Sequence, residues 1–327
     1  MDTGKGSAGP VAAQYVALAV TWGASFLFIK IGLKGLSPGQ VALGRVVTGA
    51  VTLAVISAAR RSRLPRDPAT WAHLAVVAVL MCDVPFLLIA WSEQRIPSSL
   101  ASIYNAATPL MTVVWSLAVL PGERPTRVRL GGLVTGFAGV MLVLAPWHSD
   151  GRGQLLAQAA CLAATACYGA AFTYLRRYVS PRGVGALSAA TLQVGLAAVI
   201  ALAFAPWLAA APVCLSPPVT GSILALGALG TGVAYVWNTG IVAAWGAAIA
   251  STVTYLIPVV GVILGVIVLS EPLAWNEPAG AVTVIVGILT AQNRLAAVTR
   301  YVPRGLRILS KRAVAGDGAG DLPGADQ

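Results

Sequence analysis

One segment of the chain recurs, and this duplication constrains the fold more than any other feature of the sequence. Residues 98–120 reappear, position for position, as residues 247–269 at a constant offset of 149. An acidic residue follows each copy, Glu123 in the first and Glu271 in the second. Helical spacing places the small and polar positions of each copy on one face, and these positions are Ser98, Ser102, Asn105, Pro109, Thr112 and Ser116, answered by Ala247, Ser251, Thr254, Pro258, Gly261 and Gly265.

The composition identifies the solvent as lipid. Hydrophobic residues make up 57% of the chain and charged residues only 10%, with a mean hydropathy of +0.80. Such a chain cannot cover itself with a polar surface in water. Since backbone N–H and C=O groups find no partner in hydrocarbon, apolar segments long enough to span a bilayer should be helices. We therefore predict an all-α integral membrane protein with about ten transmembrane helices, in the segments 11–33, 40–59, 71–91, 98–120, 128–145, 153–175, 185–204, 219–237, 247–269 and 278–295.

The positions of the cations explain the net charge of +11. If the N-terminus is cytoplasmic, alternating crossings place most of the 22 lysines and arginines on the inner side. Cytoplasmic loops of membrane proteins carry this excess. The basicity therefore indicates topology rather than a nucleic-acid ligand, and we predict a multi-pass protein of the cell membrane with both termini in the cytoplasm.

An odd number of helices in each copy has a geometric consequence. If five helices make one repeat, the second repeat enters the membrane from the opposite side, and the two halves are inverted. Many secondary carriers are built this way, with a binding site near the bilayer midplane. The predicted organisation is a disordered cytoplasmic tail (1–10), a first repeat of five helices (11–146), a second repeat of five helices (153–295) and a basic, then disordered cytoplasmic tail (296–327).

The order and spacing of several short motifs resemble a known family. These motifs are Trp22-Gly23, Ser37-Pro38 followed by Arg45, Ala101-Ser102 to Pro109 with Gly122-Glu123, and Ala250-Ser251 to Pro258 with Glu271-Pro272. Over roughly 11–295, the chain resembles the EamA-type carriers of the drug/metabolite transporter superfamily. The resemblance implies a ten-helix exporter or exchanger of amino acids, metabolites or small drugs. It does not name the cargo, because the family shares a fold more than a substrate.

Ionisable residues inside hydrocarbon are costly and usually have a task. Asp83 lies well inside the third segment, and Arg45 lies several residues from the outer end of the second. In the functional interpretation, Asp83 is a proton or substrate-amine site and Arg45 anchors a carboxylate, because a guanidinium presents a planar fork to oxygen pairs. In the structural alternative, Arg45 pairs with Asp83 or Glu93, or Asp83 faces a wet cleft.

Polar and aromatic side chains near the internal symmetry are candidates for the wall of a substrate site, since Tyr and Trp offer both a stacking face and a hydrogen bond. Asn105 and Thr254 occupy equivalent positions of the two copies, and Gln193 is the counterpart of Arg45. The predicted substrate-binding set is Trp22, Arg45, Asp83, Tyr104, Asn105, Tyr168, Gln193, Tyr235, Asn238, Thr254 and Tyr255.

Three prolines predict helix kinks. Proline lacks an N–H group and crowds the carbonyl four residues back. Pro109 and Pro258 should therefore free two carbonyls near the midplane, and Pro85 is the third predicted kink. The alternative is that the prolines are merely tolerated and that the small residues beside them permit close helix contact.

The acidic residue after each copy has two interpretations. Glu123 and Glu271 each precede a helix start, where free N–H groups stabilise a carboxylate. This position favours a structural cap over a gate.

Two classes of function fit these patterns. The first is a secondary transporter that moves a small organic solute (amino acid, metabolite or drug) by alternating access, by export or exchange, with proton coupling as an option. The second is a non-transporting membrane scaffold or an intramembrane enzyme. The two histidines lie at segment edges and the four cysteines show no metal-ligand spacing, so the parts of a catalytic site are missing. We expect no catalytic residue, metal or cofactor. The expected partners are a small-molecule substrate and the lipid bilayer, with a homodimer left open.

Overall fold

The computed structural model describes residues 8–120, 126–145, 152–245 and 250–291. Within these ranges the chain is helical and forms no strand, as predicted. Among the described residues, nine helices are long and apolar enough to cross a membrane, and a tenth apolar helix is shorter. They are α1 (Pro10–Gly32), α2 (Pro38–Ala59), α3 (Pro68–Glu93), α4 (Ser98–Val119), α5 (Arg127–Leu144), α6 (Gly153–Arg182), α7 (Ala186–Ala203), α8 (Pro217–Trp245), α9 (Thr252–Leu269) and α10 (Asn276–Ala291).

The predicted tails lie almost wholly outside the described residues. Of the segments 1–10 and 296–327, the structure describes only residues 8–10, which are helical. Glu123 also lies outside the described residues. The predicted boundaries of the two repeats therefore stay a prediction at the chain ends.

Side-chain caps and prolines set the starts of α2 and α3. The Ser37 hydroxyl accepts a hydrogen bond from the Gln40 N–H at 3.3 Å, and the Gln40 side chain accepts one from the Ser37 N–H at 2.8 Å. This reciprocal pair is a capping box. Asp67 caps α3 by accepting from the N–H and the hydroxyl of Thr70, and the hydroxyl contact lowers the Asp67 pKa. Each helix begins with proline, whose missing N–H has no partner to lose there.

The end of α4, the end of α6 and the start of α3 meet at one end of the bundle, which we call the basic end. Arg182 at the end of α6 lies 3.8 Å from the carboxylate of Asp67, just before α3. Arg177 donates to the carbonyl of Val119 at the end of α4. Arg177 and Arg182 therefore lie at a single end of the described bundle, as expected for a cytoplasmic face.

The loops after α1, α3 and α7 meet at the opposite end. Lys30 near the end of α1 donates to the carbonyl of Ile96, between α3 and α4, at 2.8 Å. The N–H of Cys214, in the loop after α7, donates to the carbonyl of Gly35 at 2.9 Å. The chain thus alternates between the two ends as repeated membrane crossings require.

The two halves pack through equivalent contacts. In the first half, Gly23 of α1 lies against Val260 of α9, where an added Cβ would stand 2.5 Å from the Val260 Cβ. In the second half, Gly169 of α6 lies against Met111 of α4, where an added Cβ would stand 2.7 Å from the Met111 carbonyl carbon. Met111 and Val260 are 149 positions apart, as are the two copies of the duplicated segment. The duplication therefore extends to tertiary packing.

The helices α5 and α10 form a second interface of this type. An added Cβ at Gly132 would stand 2.3 Å from the Ala291 nitrogen, and one at Gly287 would stand 2.3 Å from the Gly136 nitrogen. Only glycine lets two backbones approach this closely, and small residues are typical of helix contacts in lipid.

Equivalent helices are also interrupted at equivalent depths. A π-helical segment occurs at Val79–Asp83 in α3 and another at Ala225–Val233 in α8. The helix α4 breaks at residues 106–107 and restarts at Thr108, while the first turns of α9 are a 3-10 helix at Ser251–Tyr255. Two of the predicted kinks, Pro109 and Pro258, thus lie where a helix restarts, and Pro85 directly follows a π-helical segment. These interruptions surround the central cavity.

Candidate functional site

A cavity of about 160 Å³ lies between the two halves. The first half contributes α1 to α4 to its wall, and the second half contributes α6, α8 and α9. Seven of the predicted substrate-binding residues line it, namely Trp22, Arg45, Asn105, Tyr168, Tyr235, Asn238 and Thr254. Four do not: Asp83, Tyr104, Gln193 and Tyr255.

Arg45 is the charged residue of the cavity wall. Its side chain is only 8% exposed. The Nε atom donates to the hydroxyl of Thr231 at 3.1 Å, and the guanidinium carbon lies 3.7 Å from the centre of the Phe86 ring. These two contacts fix the plane of the guanidinium through one polar and one cation–π interaction.

Asn105 and Thr254 approach the cavity from opposite halves. Pro109 has no N–H to offer the Asn105 carbonyl, and Pro258 stands in the same relation to Thr254. Both residues precede the point where a helix restarts. Each therefore contributes a backbone carbonyl and a polar side chain at the same position. At these two positions, the small and polar helix face that recurs in both copies therefore lines the cavity.

The same helix face also packs α4 against α9. An added Cβ at Gly261 of α9 would stand 2.4 Å from the Ser102 Cβ, and one at Gly265 would stand 3.1 Å from the Ser99 Cβ. The two interpretations of this helix face thus apply at different depths, with packing near the start of α4 and the end of α9 and polar lining nearer the middle.

Aromatic side chains complete the wall. The indole N–H of Trp22 donates to the carbonyl of Gly230, in the π-helical segment of α8, at 3.2 Å. Gln193 lies behind the wall, where its amide donates to the Tyr235 hydroxyl at 3.4 Å. Gln193 therefore positions a lining residue instead of lining the cavity itself.

Tyr104 and Tyr255 turn away from the cavity. Tyr104 is 2% exposed and packs in an apolar cluster with Ile103. Tyr255 packs against a separate cluster that includes Leu110. Successive residues of a helix point about 100° apart, so the neighbours of Asn105 and Thr254 face the packed interior.

Asp83 lies in a different cavity, of about 310 Å³, whose other lining residues come from α2, α3, α7 and the turn that follows α7. Its two carboxylate oxygens are buried and accept no hydrogen bond from the described residues. The expected ion pair between Arg45 and Asp83 does not form, because the two side chains line separate cavities. The apolar wall of the second cavity also differs from the expected wet cleft, since its lining includes Leu43, Leu87 and Phe204.

Glu93 does not form the alternative ion pair. It is fully buried, and its carboxylate oxygens have no hydrogen-bond partner among the described residues. Lys30 approaches it but donates to its backbone carbonyl. Arg45 is therefore held by Thr231 and Phe86, and no carboxylate of the described chain lies within 4 Å of it.

Glu271 is a cap, but for a helix of the other half. Its carboxylate accepts hydrogen bonds from the Ser98 N–H at 2.8 Å and the Ser99 N–H at 2.9 Å, at the start of α4. Partial burial acts to raise the Glu271 pKa, but the hydrogen bonds from Ser98 and Ser99 outweigh it and lower the pKa overall. Glu271 is thus a structural cap, but the helix it caps is α4 and not the predicted helix that follows it.

Sequence reasoning missed the apolar part of the cavity wall. Phe86 stacks on Arg45, and Thr108 follows the break in α4. An apolar residue inside an apolar helix carries no signal of its own, whereas Thr108 shares the proline motif with Asn105. The lining residues that were not predicted are Ser25, Phe26, Ile29, Met81, Phe86, Ile89, Thr108, Phe172, Gly230 and Ile257.

The chain is similar to several known proteins. It is 25% identical over 286 residues to a probable terminal-alkyne amino-acid exporter of Streptantibioticus cattleyicolor, covering 85% of this chain and 92% of that one. It is 25% identical over 262 residues to the uncharacterized inner membrane transporter YedA of Escherichia coli, covering 78% and 82%. A protein of known crystal structure is 19% identical to this chain and superposes on it with a TM-score of 0.61. The match covers 89% of this chain and 99% of the other chain, which shows a shared fold.

A family model also matches the chain twice. The EamA-like transporter family matches residues 11–145 and again residues 155–291. The two matches confirm the tandem duplication. They fall on the two halves of the chain, which also make equivalent helix contacts. This protein therefore belongs to the EamA-like transporter family and is a multi-pass transporter of the cell membrane, not an enzyme.

Proposed function

We propose that the protein is a secondary transporter that moves a small organic solute through the central cavity by alternating access, in export or exchange. The observation that carries this proposal is the cavity itself, which Asn105 and Thr254 line from equivalent positions of opposite halves. A site shared by two inverted repeats can face either side of the membrane when one half rocks against the other.

The packing supports such a motion. Both close contacts join whole helices: Gly169 lies against the backbone of Met111, and Gly23 lies against the side chain of Val260. Interfaces of this kind shift as rigid bodies rather than deform continuously. Trp22 and Tyr168, which directly precede the two glycines, line the cavity, so we expect a shift at these contacts to open it toward one end of the bundle.

The cargo we favour is an amino acid or a closely related metabolite. The cavity combines polar groups from Asn105 and Asn238 with the aromatic surfaces of Trp22, Tyr168 and Tyr235. Pockets with an apolar wall and a few placed polar groups are typical of small-molecule sites. The relative from Streptantibioticus cattleyicolor is named as an amino-acid exporter, which supports the same class and the outward direction.

The test is solute counterflow in proteoliposomes. Vesicles that contain the purified protein are loaded with one member of a panel of amino acids, carboxylates and amines, and entry of the labelled solute is followed. We expect at least one amino acid to accumulate transiently. Asn105→Leu and Thr254→Val should each slow its entry about threefold to tenfold, because each removes hydrogen bonds worth roughly 0.5–1.5 kcal/mol.

The matched control is Thr283→Val in α10. The Thr283 hydroxyl donates to the Ala279 carbonyl within its own helix and does not line the cavity, so this variant should transport normally. Absence of counterflow for every solute in the panel would contradict the proposal, as would equal slowing by Thr283→Val and Thr254→Val.

A further inference from the structure

We propose that the transported solute carries a carboxylate that binds the Arg45 guanidinium, with an apolar group directed at the remaining wall. This inference rests on the proposed transport through the central cavity and specifies the substrate class. It assigns to Arg45 the selection of an anionic group. The shape of the cavity alone does not identify a residue with this role.

The first argument is charge. Arg45 is the charged residue among the cavity-lining side chains, and it is 92% withdrawn from solvent. A buried cation without an anion is costly, so such groups are paired in most proteins. Neither Asp83 nor Glu93 pairs with it, since Asp83 lines the other cavity and the Glu93 carboxylate has no hydrogen-bond partner among the described residues. An anionic solute would supply the missing charge.

The second argument is the geometry of the guanidinium. Its Nε atom donates to Thr231, and Phe86 covers one face of its plane. The two terminal nitrogens have no acceptor among the described residues. A guanidinium held in this way presents a fixed fork to the two oxygens of a carboxylate. The contacts with Thr231 and Phe86 therefore prepare the site for a planar anion.

The third argument concerns the rest of the solute. The wall beside Arg45 is formed by apolar side chains, which suit an aliphatic or aromatic group: Phe26, Ile29, Met81, Ile89, Phe172 and Ile257. Only one cation lines the described cavity wall, which fits a monoanion better than a phosphate or a dicarboxylate. The amide oxygens of Asn105 and Asn238 can accept from an α-ammonium group, so the class includes amino acids with apolar side chains.

The experiment measures binding of three solutes that share one pentyl chain. L-Norleucine carries both charges, hexanoate lacks the ammonium group, and pentylamine lacks the carboxylate. Titration calorimetry on detergent-purified protein gives the dissociation constants. We expect L-norleucine and hexanoate to bind and pentylamine to bind at least about tenfold more weakly, since hydrogen bonds to charged groups are worth roughly 1.5–3 kcal/mol.

Two variants of one residue test the role of the guanidinium. Arg45→Gln should weaken hexanoate binding about 10- to 100-fold. It should not weaken pentylamine binding, because it removes a positive charge that repels the ammonium group. Arg45→Lys keeps the positive charge but loses the fork, so it should bind hexanoate with intermediate affinity. Because the charge is kept, Arg45→Lys also reports on anion binding if Arg45→Gln folds poorly.

The outcomes separate this inference from the transport proposal. Pentylamine binding as tight as hexanoate binding, or hexanoate binding unchanged in both Arg45 variants, would overturn the carboxylate assignment even if counterflow is observed. No binding of any of the three solutes would overturn it as well. Absence of counterflow with carboxylate binding intact would contradict transport alone.

Discussion

Gly169 and Met111 touch through their backbones, and an added Cβ at Gly169 would stand 2.7 Å from the Met111 carbonyl carbon. Neither helix can yield locally, because the obstructing atoms belong to the backbone of α4. We expect Gly169→Ala to destabilise the protein by about 1–3 kcal/mol, as overpacking does in a dense interior. The thermal unfolding midpoint in detergent measures this effect.

The control for Gly169→Ala is Gly195→Ala in α7. An added Cβ at Gly195 meets no atom within 4 Å, so alanine should leave the unfolding midpoint unchanged or raise it slightly, because it lowers the entropy cost of helix formation. Equal losses in the two variants would show that the contact with Met111 is not specific.

Adjacent glycines of α5 give a second matched pair. An added Cβ at Gly132 would stand 2.3 Å from the Ala291 nitrogen, whereas one at Gly131 meets nothing within 4 Å. We expect Gly132→Ala to force α5 and α10 apart and to lower the unfolding midpoint. Gly131→Ala should behave as the original protein, and a loss of stability there would contradict the assigned interface.

Glu271 predicts a pH dependence of stability. Its pKa is lowered in the folded state, because hydrogen bonds from Ser98 and Ser99 outweigh the opposing effect of burial. A group with a depressed folded pKa contributes stability that is present above its unfolded pKa, about 4.3, and is lost as the pH falls through the folded value. Thermal unfolding measured from pH 7 downward should show this loss.

The Glu271→Gln variant isolates that contribution. It removes the charge from the cap of α4 and should cost about 0.5–2 kcal/mol at neutral pH, the usual range for a helix cap. Its unfolding midpoint should change less than that of the original protein below pH 4.3. If both proteins lose stability in parallel, Glu271 is not the titrating group.

The buried Asp83 carboxylate leads to a prediction about solute accumulation in a proton gradient. We propose that this carboxylate, which has no hydrogen-bond partner among the described residues and lies within α3, takes up the coupled proton. Asp83→Asn should abolish solute accumulation driven by a pH gradient in proteoliposomes and preserve counterflow. Asp67→Asn, at the exposed start of the same helix, is the control and should retain both activities. Gradient-driven accumulation by Asp83→Asn would contradict this role.

Much of the fold follows from the sequence, because apolar length and duplication are both visible in it. Hydrocarbon requires helices of bilayer length. The offset of 149 between the copies also separates Met111 and Val260, the residues that Gly169 and Gly23 contact. The π-helical segments at Val79–Asp83 and Ala225–Val233 were not foreseen. They depend on how whole helices fit together and leave no local sequence pattern.

The site was predicted best where polarity is unusual. Arg45, Asn105 and Thr254 stand out in apolar helices, and all three line the cavity. Tyr104 and Tyr255 were wrongly placed on its wall, because the breaks in α4 and α9 decide which of two adjacent residues faces inward. Which of the two adjacent residues faces the cavity depends on how the folded helices are turned about their axes, so the sequence alone leaves that choice open.

The central claim is that the two halves cross the membrane in opposite orientations around one shared cavity. Arg63 and Cys214 test it directly, since they occupy the equivalent loops after α2 and α7, and both are exposed. Right-side-out vesicles are treated with a membrane-impermeant maleimide, using the natural Cys214 as one reporter and an Arg63→Cys, Cys214→Ser variant as the other.

Cys214 should react in sealed vesicles, and the cysteine at position 63 should react only after permeabilisation. The Cys214→Ser variant alone supplies the background, which includes any labelling of the partly exposed Cys167, since Cys82 and Cys161 are buried. Labelling of both reporters from the same side would contradict the inverted arrangement and, with it, the alternating-access account.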